Sequence, residues 1–120
     1  MEQYSEVFDE NLALSSVGGE REFLVELVGL AQAALPTLVA DIRKGMDRPD
    51  LSAVQLTARL VKAAARNVSG KRAYASALQL EQMAGKGDLP AAQKASSNLE
   101  QEVEILQLAL STLGDSTETP

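Results

Sequence analysis

The chain has 120 residues, of which 45% are hydrophobic, 23% charged and 3% aromatic, and this length fits one domain with a single core. It contains no cysteine and no histidine, which excludes disulfides, thiolate catalysis, metal sites built on those side chains, and phosphohistidine. Histidine is also the side chain that most often transfers protons near neutral pH. The composition therefore predicts a protein that is not an enzyme and that holds no metal or cofactor.

The net charge of −6 is unevenly distributed along the chain. Between Leu51 and Leu80 there is no Asp or Glu, and five basic residues give this segment a charge of +5: Arg59, Lys62, Arg66, Lys71 and Arg72. A run of one sign repels itself and favours an acidic protein partner. Nucleic acid is a weaker candidate because the chain as a whole is acidic, and a solvated helix face without any partner is the alternative.

The N-terminal residues and the apolar runs predict a cytoplasmic protein. The first ten residues carry four acids and no base, unlike a signal peptide. The longest apolar run, residues 27–35, is interrupted by Gln32 and is shorter than the roughly 18 residues of a membrane span. We therefore expect no membrane partner.

Four turn signals divide the chain into five segments whose apolar residues recur at the helical spacings of three and four. The first helix is short, from about Asp9 to Ser16, and has Asp9 as its N-cap. The second runs from about Glu20 to Met46, and Pro36 inside it predicts a bend. The turn signals are Gly18-Gly19, residues 47–50, Ser69-Gly70 and residues 85–88.

The last three segments complete an all-α domain. They run from Asp50 to about Val68, from Lys71 to about Gly85, and onward from Asp88. Short turns between long amphipathic helices predict an antiparallel up-down four-helix bundle, with the first helix as a short N-terminal cap. The domain is expected to span residues 1–114, and the polar residues 115–120 to form a flexible C-terminal tail.

On the third predicted helix, a basic arc lies away from the apolar seam. The seam consists of Val54, Ala58, Val61, Ala65 and Val68. At about 100° per residue, the arc of Gln55, Arg59, Lys62 and Arg66 falls to one side of it. Other clusters are less informative, since Glu100, Glu102 and Glu104 point to different faces of a helix. The glycines at positions 18, 19, 85 and 87 are typical of helix connections rather than phosphate loops.

A series of short motifs runs along nearly the whole chain: Phe8-Asp9, Gly18-Gly19, Leu35-Pro36, residues 56–65, Leu80-Glu81 and Gly87-Asp88-Leu89. In their order and spacing these motifs resemble the histidine phosphotransfer (HPt) domains of multistep two-component phosphorelays. The family motif is a small residue followed by His-x-x-Lys-Gly-Ser/Ala-Ala. Ala58, Lys62 and Ala65 match its small, Lys and final Ala positions. Arg59 stands at the histidine position, Ala63 at the glycine and Ala64 at the Ser/Ala position.

The resemblance implies a degenerate HPt domain. The family's histidine accepts a phosphoryl group from a receiver-domain aspartate, whereas the guanidinium of Arg59 stays protonated and lacks a nucleophilic lone pair. We therefore expect the chain to bind the acidic surface of a response-regulator or hybrid-kinase receiver without phosphotransfer, as an adaptor, competitor or inhibitor. The expected partner-binding residues are Arg59, Lys62, Arg66, Gln55, Ala63, Lys71 and Arg72.

Two alternatives remain at this stage. One is a structural or dimerisation bundle with no receiver partner, in which the long last helix pairs with another copy. The other is an active phosphotransfer protein whose acceptor has been replaced by Arg59, an interpretation that the additional change at Ala63 disfavours. We expect a monomer or a weak homodimer.

Overall fold

The computed structural model describes the backbone of residues 2–118 and the side chains of residues 5–113. Within these residues the chain is all-helical and contains no strand. The helices in chain order are α1 (Glu2–Val7), α2 (Glu10–Ser16), α3 (Arg21–Asp47), α4 (Leu51–Asn67), α5 (Lys71–Gly85) and α6 (Leu89–Glu118). Helices α2 to α6 correspond to the five predicted segments, and α1 was not predicted.

Aspartate side chains mark where three of the helices begin. The Asp9 carboxylate accepts a hydrogen bond from the Leu12 amide at 3.0 Å, and Asp50 accepts one from the Ala53 amide at 3.1 Å. Asp88 accepts one from the Ala91 amide, also at 3.1 Å. Each bond satisfies an amide that has no partner inside its helix, so the predicted boundaries at these aspartates are confirmed.

The four long helices pack through the apolar seams that the sequence predicts. Helix α3 packs on α4 and α6, and α5 also packs on α4 and α6. Three residues connect each successive pair of these helices. The buried seams are Leu24, Val28, Ala31, Leu35 and Ile42 on α3, Val54, Ala58, Val61 and Ala65 on α4, Ala73, Ala77, Leu80 and Ala84 on α5, and Ala92, Ala95, Leu99, Val103, Leu106, Leu110 and Leu113 on α6.

The segment from α1 to Asp9 packs on the turn between α4 and α5 and is hydrogen-bonded to it. Helix α1 packs against α5 and α6, and Val7 and Phe8 are buried. The Asp9 amide donates to the Ser69 carbonyl at 3.1 Å. Gly70 lies beneath this contact, where an added Cβ would meet Leu106 at 3.1 Å. Val7, Phe8 and Asp9 therefore cover the apolar side chains at this turn.

Helix α3 differs from the sequence-based expectation in one respect. Among the described helices it alone is long and apolar enough, by length and composition, to cross a membrane, so the prediction that no segment qualifies is wrong. The reason is that residues 27–40 contain no charge, although Gln32 and Thr37 interrupt the apolar run. A core helix passes the same test, and α3 buries one face against α4 and α6. Pro36 lies within α3, which continues on both sides of it, and the bend there stays a prediction.

Helix α6 extends into the region where the sequence predicts a flexible tail. Residues 115–118 continue the helix as far as Glu118. Residues 119 and 120 lie outside the described part of the chain. The flexibility of residues 115–120 stays a prediction.

The packing of α3 against α4 leaves no room for a methyl group at Gly45. A Cβ there would lie 2.7 Å from Cγ2 of Val54, a buried β-branched side chain that has little freedom to turn away. We expect Gly45→Ala to lower the free energy of unfolding by about 1–3 kcal/mol. Urea unfolding in dilute solution measures this change.

Gly29 provides the matched control, because it lies on the same helix and a Cβ there would meet nothing within 4 Å. Gly29→Ala is expected to raise the free energy of unfolding by up to about 1 kcal/mol through helix propensity alone. Equal stabilisation by both substitutions would show that the α3–α4 contact does not constrain residue 45.

Candidate functional site

The predicted basic arc lies along the groove between α4 and α5, and Glu81 of α5 lies at its centre. Nε of Arg59 donates to one carboxylate oxygen of Glu81 at 2.8 Å, and Nζ of Lys62 donates to the other at 2.6 Å. The exposed fraction of the Glu81 side chain is 12%, compared with 56% for Arg59. Glu81 therefore joins the two basic residues from a sheltered position.

Two more of the five basic residues are paired with acids from outside the acid-free segment. Nζ of Lys71 lies 3.1 Å from the Asp9 carboxylate, and the Arg72 guanidinium lies 2.9 Å from Glu102 on α6. Arg66 is the member of the set that forms no ion pair within the described residues. The expectation of a self-repelling run is therefore wrong, because the fold brings three acids from outside the acid-free segment.

These pairs change the protonation of the acids that make them. Hydrogen bonds from Lys62 and then Arg59 hold the pKa of the Glu81 carboxyl below its ordinary value, although partial burial opposes them. The pKa of Asp9 is likewise lowered, first by the backbone amide of Leu12 and then by Lys71. Both carboxylates are charged at neutral pH and together offset two of the five basic charges.

Glu81 uses only one nitrogen of Arg59 and leaves the outer end of the guanidinium free. Within the described residues Nη1 and Nη2 of Arg59 make no hydrogen bond. The side chain is thus held by its Nε while its terminal nitrogens are available in solvent. A guanidinium presented in this way can bind a carboxylate or phosphate with two hydrogen bonds.

The exposed face of α4 beside Arg59 is apolar, a feature that the sequence analysis missed. The side chain of Leu56 is 59% exposed and that of Leu60 is 57% exposed, and Ala63 is exposed next to them. We call Leu56, Arg59, Leu60 and Ala63 the α4 face. Leu56, Leu60 and Ala63 recur at helical spacing on the side opposite the buried seam, but spacing alone does not show whether a neighbouring helix covers that side.

The remaining predicted site residues lie at different positions around the α4 face. Gln55 packs against the end of α5, where a Cβ on Gly85 would lie 2.5 Å from its Nε2. Arg66 and Lys71 line a separate depression of about 330 Å³ together with Leu12, Ser69, Gly70 and Tyr74. Arg72 is directed toward α6. The structure therefore brings together Gln55, Arg59 and Lys62, and places Arg66, Lys71 and Arg72 apart from them.

The glutamates of α6 occupy different sides of the helix, as their spacing predicts. Glu100 bonds to Arg43 of α3, and Glu102 bonds to Arg72 of α5. Within the described residues no group of three potential ligands is arranged to hold a metal ion. These carboxylates therefore connect helices to one another.

The bridge at Glu81 generates a pH-dependent prediction. Glu81→Gln removes the charge that Lys62 and Arg59 share, so we expect the free energy of unfolding to fall by about 1 kcal/mol at pH 7. The pKa of Glu81 is lowered in the folded chain, so its contribution is complete above the ordinary carboxyl pKa of 4.5 and is lost as the pH falls through the lowered value. Urea unfolding of both proteins across this range measures the effect.

Glu104→Gln is the control, since Glu104 is exposed and has no hydrogen-bonded basic partner within the described residues. Glu104 attracts Arg43 without a hydrogen bond, so we expect Glu104→Gln to lower the free energy of unfolding at pH 7 by less than Glu81→Gln does. A difference between Glu81→Gln and wild type that does not vary with pH would contradict the ionic bridge.

No family model, no curated protein and no solved structure matches this chain. The resemblance to HPt domains therefore rests on the residues quoted above. The function has to be proposed from the exposed groups of α4 and α5.

Proposed function

We propose that this chain is an HPt-like, non-catalytic domain that binds the receiver domain of a response regulator or hybrid kinase. The observation that carries the proposal is the setting of Arg59, at the position where the resembling family has its histidine. Its terminal nitrogens make no hydrogen bond to any described residue, and exposed leucines flank it at Leu56 and Leu60. A cation surrounded by apolar side chains is typical of the centre of a protein–protein interface.

The chemistry of a receiver's phosphorylation site complements this face. Such a site is a pocket of aspartates. The free end of the Arg59 guanidinium can donate two parallel hydrogen bonds to one of these carboxylates. Because Glu81, Asp9 and Glu102 offset three of the five basic charges, affinity is expected to depend mainly on Arg59 and the apolar contacts. Leu56, Leu60 and Ala63 supply those contacts.

Binding without chemistry follows from the residues at the centre of the α4 face. Arg59 has no lone pair with which to attack a phosphoryl group at neutral pH. Ala63 adds a methyl where the family has bare backbone, which hinders the close approach that in-line transfer needs. The domain would then sequester a receiver, compete with an active phosphotransfer domain, or act as an adaptor, and its partner implies a cytoplasmic location.

We also infer that α3 to α6 form an antiparallel up-down four-helix bundle, with α1 and α2 as its N-terminal cap. The support is that each long helix packs on the one before and the one after it, and that α3 packs on α6 as well. Connections of three residues favour reversal of the chain between neighbouring helices. An experimental structure tests this arrangement.

The binding proposal predicts a loss of affinity when Arg59 is removed. We expect Arg59→Ala to weaken receiver binding by at least about tenfold, because the carboxylates of the receiver lose their cationic partner. Leu60→Asp is expected to abolish binding, since it puts a carboxylate into the apolar part of the face, where the carboxylate also repels the aspartates of the receiver. Calorimetric titration of receiver domains from the source cell measures both effects.

Arg43→Ala provides the control for this series. Arg43 is also exposed and also paired with a glutamate, but it lies on α3 beside α6, away from the α4–α5 groove. Its removal should leave receiver affinity unchanged. If wild type binds no receiver, or if all three variants bind like wild type, the structural-bundle interpretation would take precedence.

Phosphotransfer gives a separate test. We expect no phosphoryl group to appear on the chain when it is incubated with a phosphorylated receiver or with acetyl phosphate, because the chain contains no histidine. Intact-mass spectrometry at neutral and acidic pH detects such a group. An acid-labile adduct of phosphoryl mass would contradict the proposal.

A further inference from the structure

The outward face of α3 is uncharged over its middle turns and remains exposed. Only 22% of the most apolar 18-residue stretch of this helix is buried inside the domain. The side chain of Leu30 at its centre is 67% exposed. The other exposed residues on this side of the middle turns are Gly29, Ala33, Pro36, Thr37 and Ala40. We call these six residues the α3 face.

Helix α6 extends this apolar surface. Pro36, Val39 and Ala40 of α3 line a groove of about 580 Å³ with Val103 and Leu108 of α6, and polar or charged residues complete its lining: Arg43, Glu100, Glu104, Gln107 and Ser111. The side chain of Leu108 is 71% exposed, and Leu108 and Leu30 are the two most exposed large hydrophobic residues in the described part of the chain. Contiguous apolar surface of this kind on a small domain marks an interaction site.

Opposite charges lie at the two ends of the α3 face. Glu26 and Lys44 are separated by 18 residues, which is about five helical turns, so they lie on the same side of α3 about 27 Å apart. Both are exposed, and neither forms an ion pair within the described residues. Asp41 and Asp47 lie about 60° to either side of Lys44 and border it on the exposed side of the helix.

This arrangement is complementary to itself when the helix is reversed. Two α3 helices can pack antiparallel through their exposed faces, with a two-fold axis that passes between them at the height of residue 35. This arrangement brings Glu26 of each copy opposite Lys44 of the other. The uncharged residues between these ends then meet one another, and the small side chains at Gly29, Ala33 and Ala40 allow close approach. A two-fold interface uses the same surface on both copies, and the charges of α3 meet that requirement.

We propose that the α3 face, together with Leu108, binds a second copy of this chain in an antiparallel, two-fold symmetric dimer. A lipid surface fits the observations less well, because helices that lie on membranes carry many Lys and Arg along their polar side, whereas α3 carries four acids and three bases. The opposite side of α3 is buried in the core through Leu24, Leu35 and Ile42, so insertion would require the domain to open.

The dimer leaves the proposed receiver site free. Helix α3 and the groove lined by Leu108 lie on one side of the domain. Because α3 and α5 each pack on both α4 and α6, the α4–α5 groove lies across the core from the α3–α6 groove. Self-association and receiver binding can therefore be measured independently.

Sedimentation equilibrium with charge-reversal variants tests the dimer. We expect wild type to dimerise, and Glu26→Lys or Lys44→Glu alone to raise the dimer dissociation constant by at least about tenfold, since each turns two attractive pairs into two repulsive ones. The double variant should return close to wild type, because exchanging both charges restores both pairs. Leu30→Asp tests the apolar centre and should also weaken the dimer at least about tenfold.

Lys94→Glu is the control for charge reversal, because Lys94 is an exposed lysine of α6 that forms no ion pair within the described residues. It should leave the dissociation constant unchanged, and circular-dichroism melts verify that every variant is folded. A monomeric wild type would overturn the proposal, and so would a dimer whose affinity the double variant fails to restore. Co-sedimentation of a monomeric wild type with phosphatidylglycerol vesicles would assign the α3 face to membranes instead.

Discussion

Alanines in the seam between α4 and α5 set the geometry on which the candidate site depends. This pair of helices makes the most extensive contact in the domain, and the buried residues that they present to the core include Ala58, Ala65, Ala73, Ala77 and Ala84. Alanine has no atoms beyond Cβ, so helix axes that meet through it lie near the short end of the usual separation. Close packing brings Glu81 within hydrogen-bond reach of both Arg59 and Lys62. Larger residues in this seam would separate the carboxylate from both.

The elements that repeat along a helix could be predicted from the sequence. The seams of α3 to α6 follow from apolar spacing, and the starts of α2 and α4 follow from Asp9 and Asp50, because a short carboxylate side chain reaches the first-turn amides. The apolar spacing within one helix is local information. It requires no knowledge of which helix lies beside which.

The electrostatics of the site could not be predicted in the same way. Glu81 lies one residue beyond the acid-free segment, and Asp9 is 62 residues from Lys71, so counting charge along the chain separates partners that the fold joins. The exposed leucines at Leu56 and Leu60 were missed for a related reason. Their spacing also fits a helix packed on a neighbour, and only the position of α4 relative to α3 and α5 shows that their side of the helix is open.

The cation at the centre of the α4 face has one further consequence. A guanidinium remains charged throughout the physiological pH range, and Glu81 holds Arg59 in place without occupying its outer nitrogens. The face therefore has a single chemical state, in contrast to an imidazole, which changes with protonation or with a transferred group. The chemical state of this face is therefore the same before and after a signal has passed. Under the proposed function, its occupancy is determined by the abundance of this chain and by the state of the receiver that it binds.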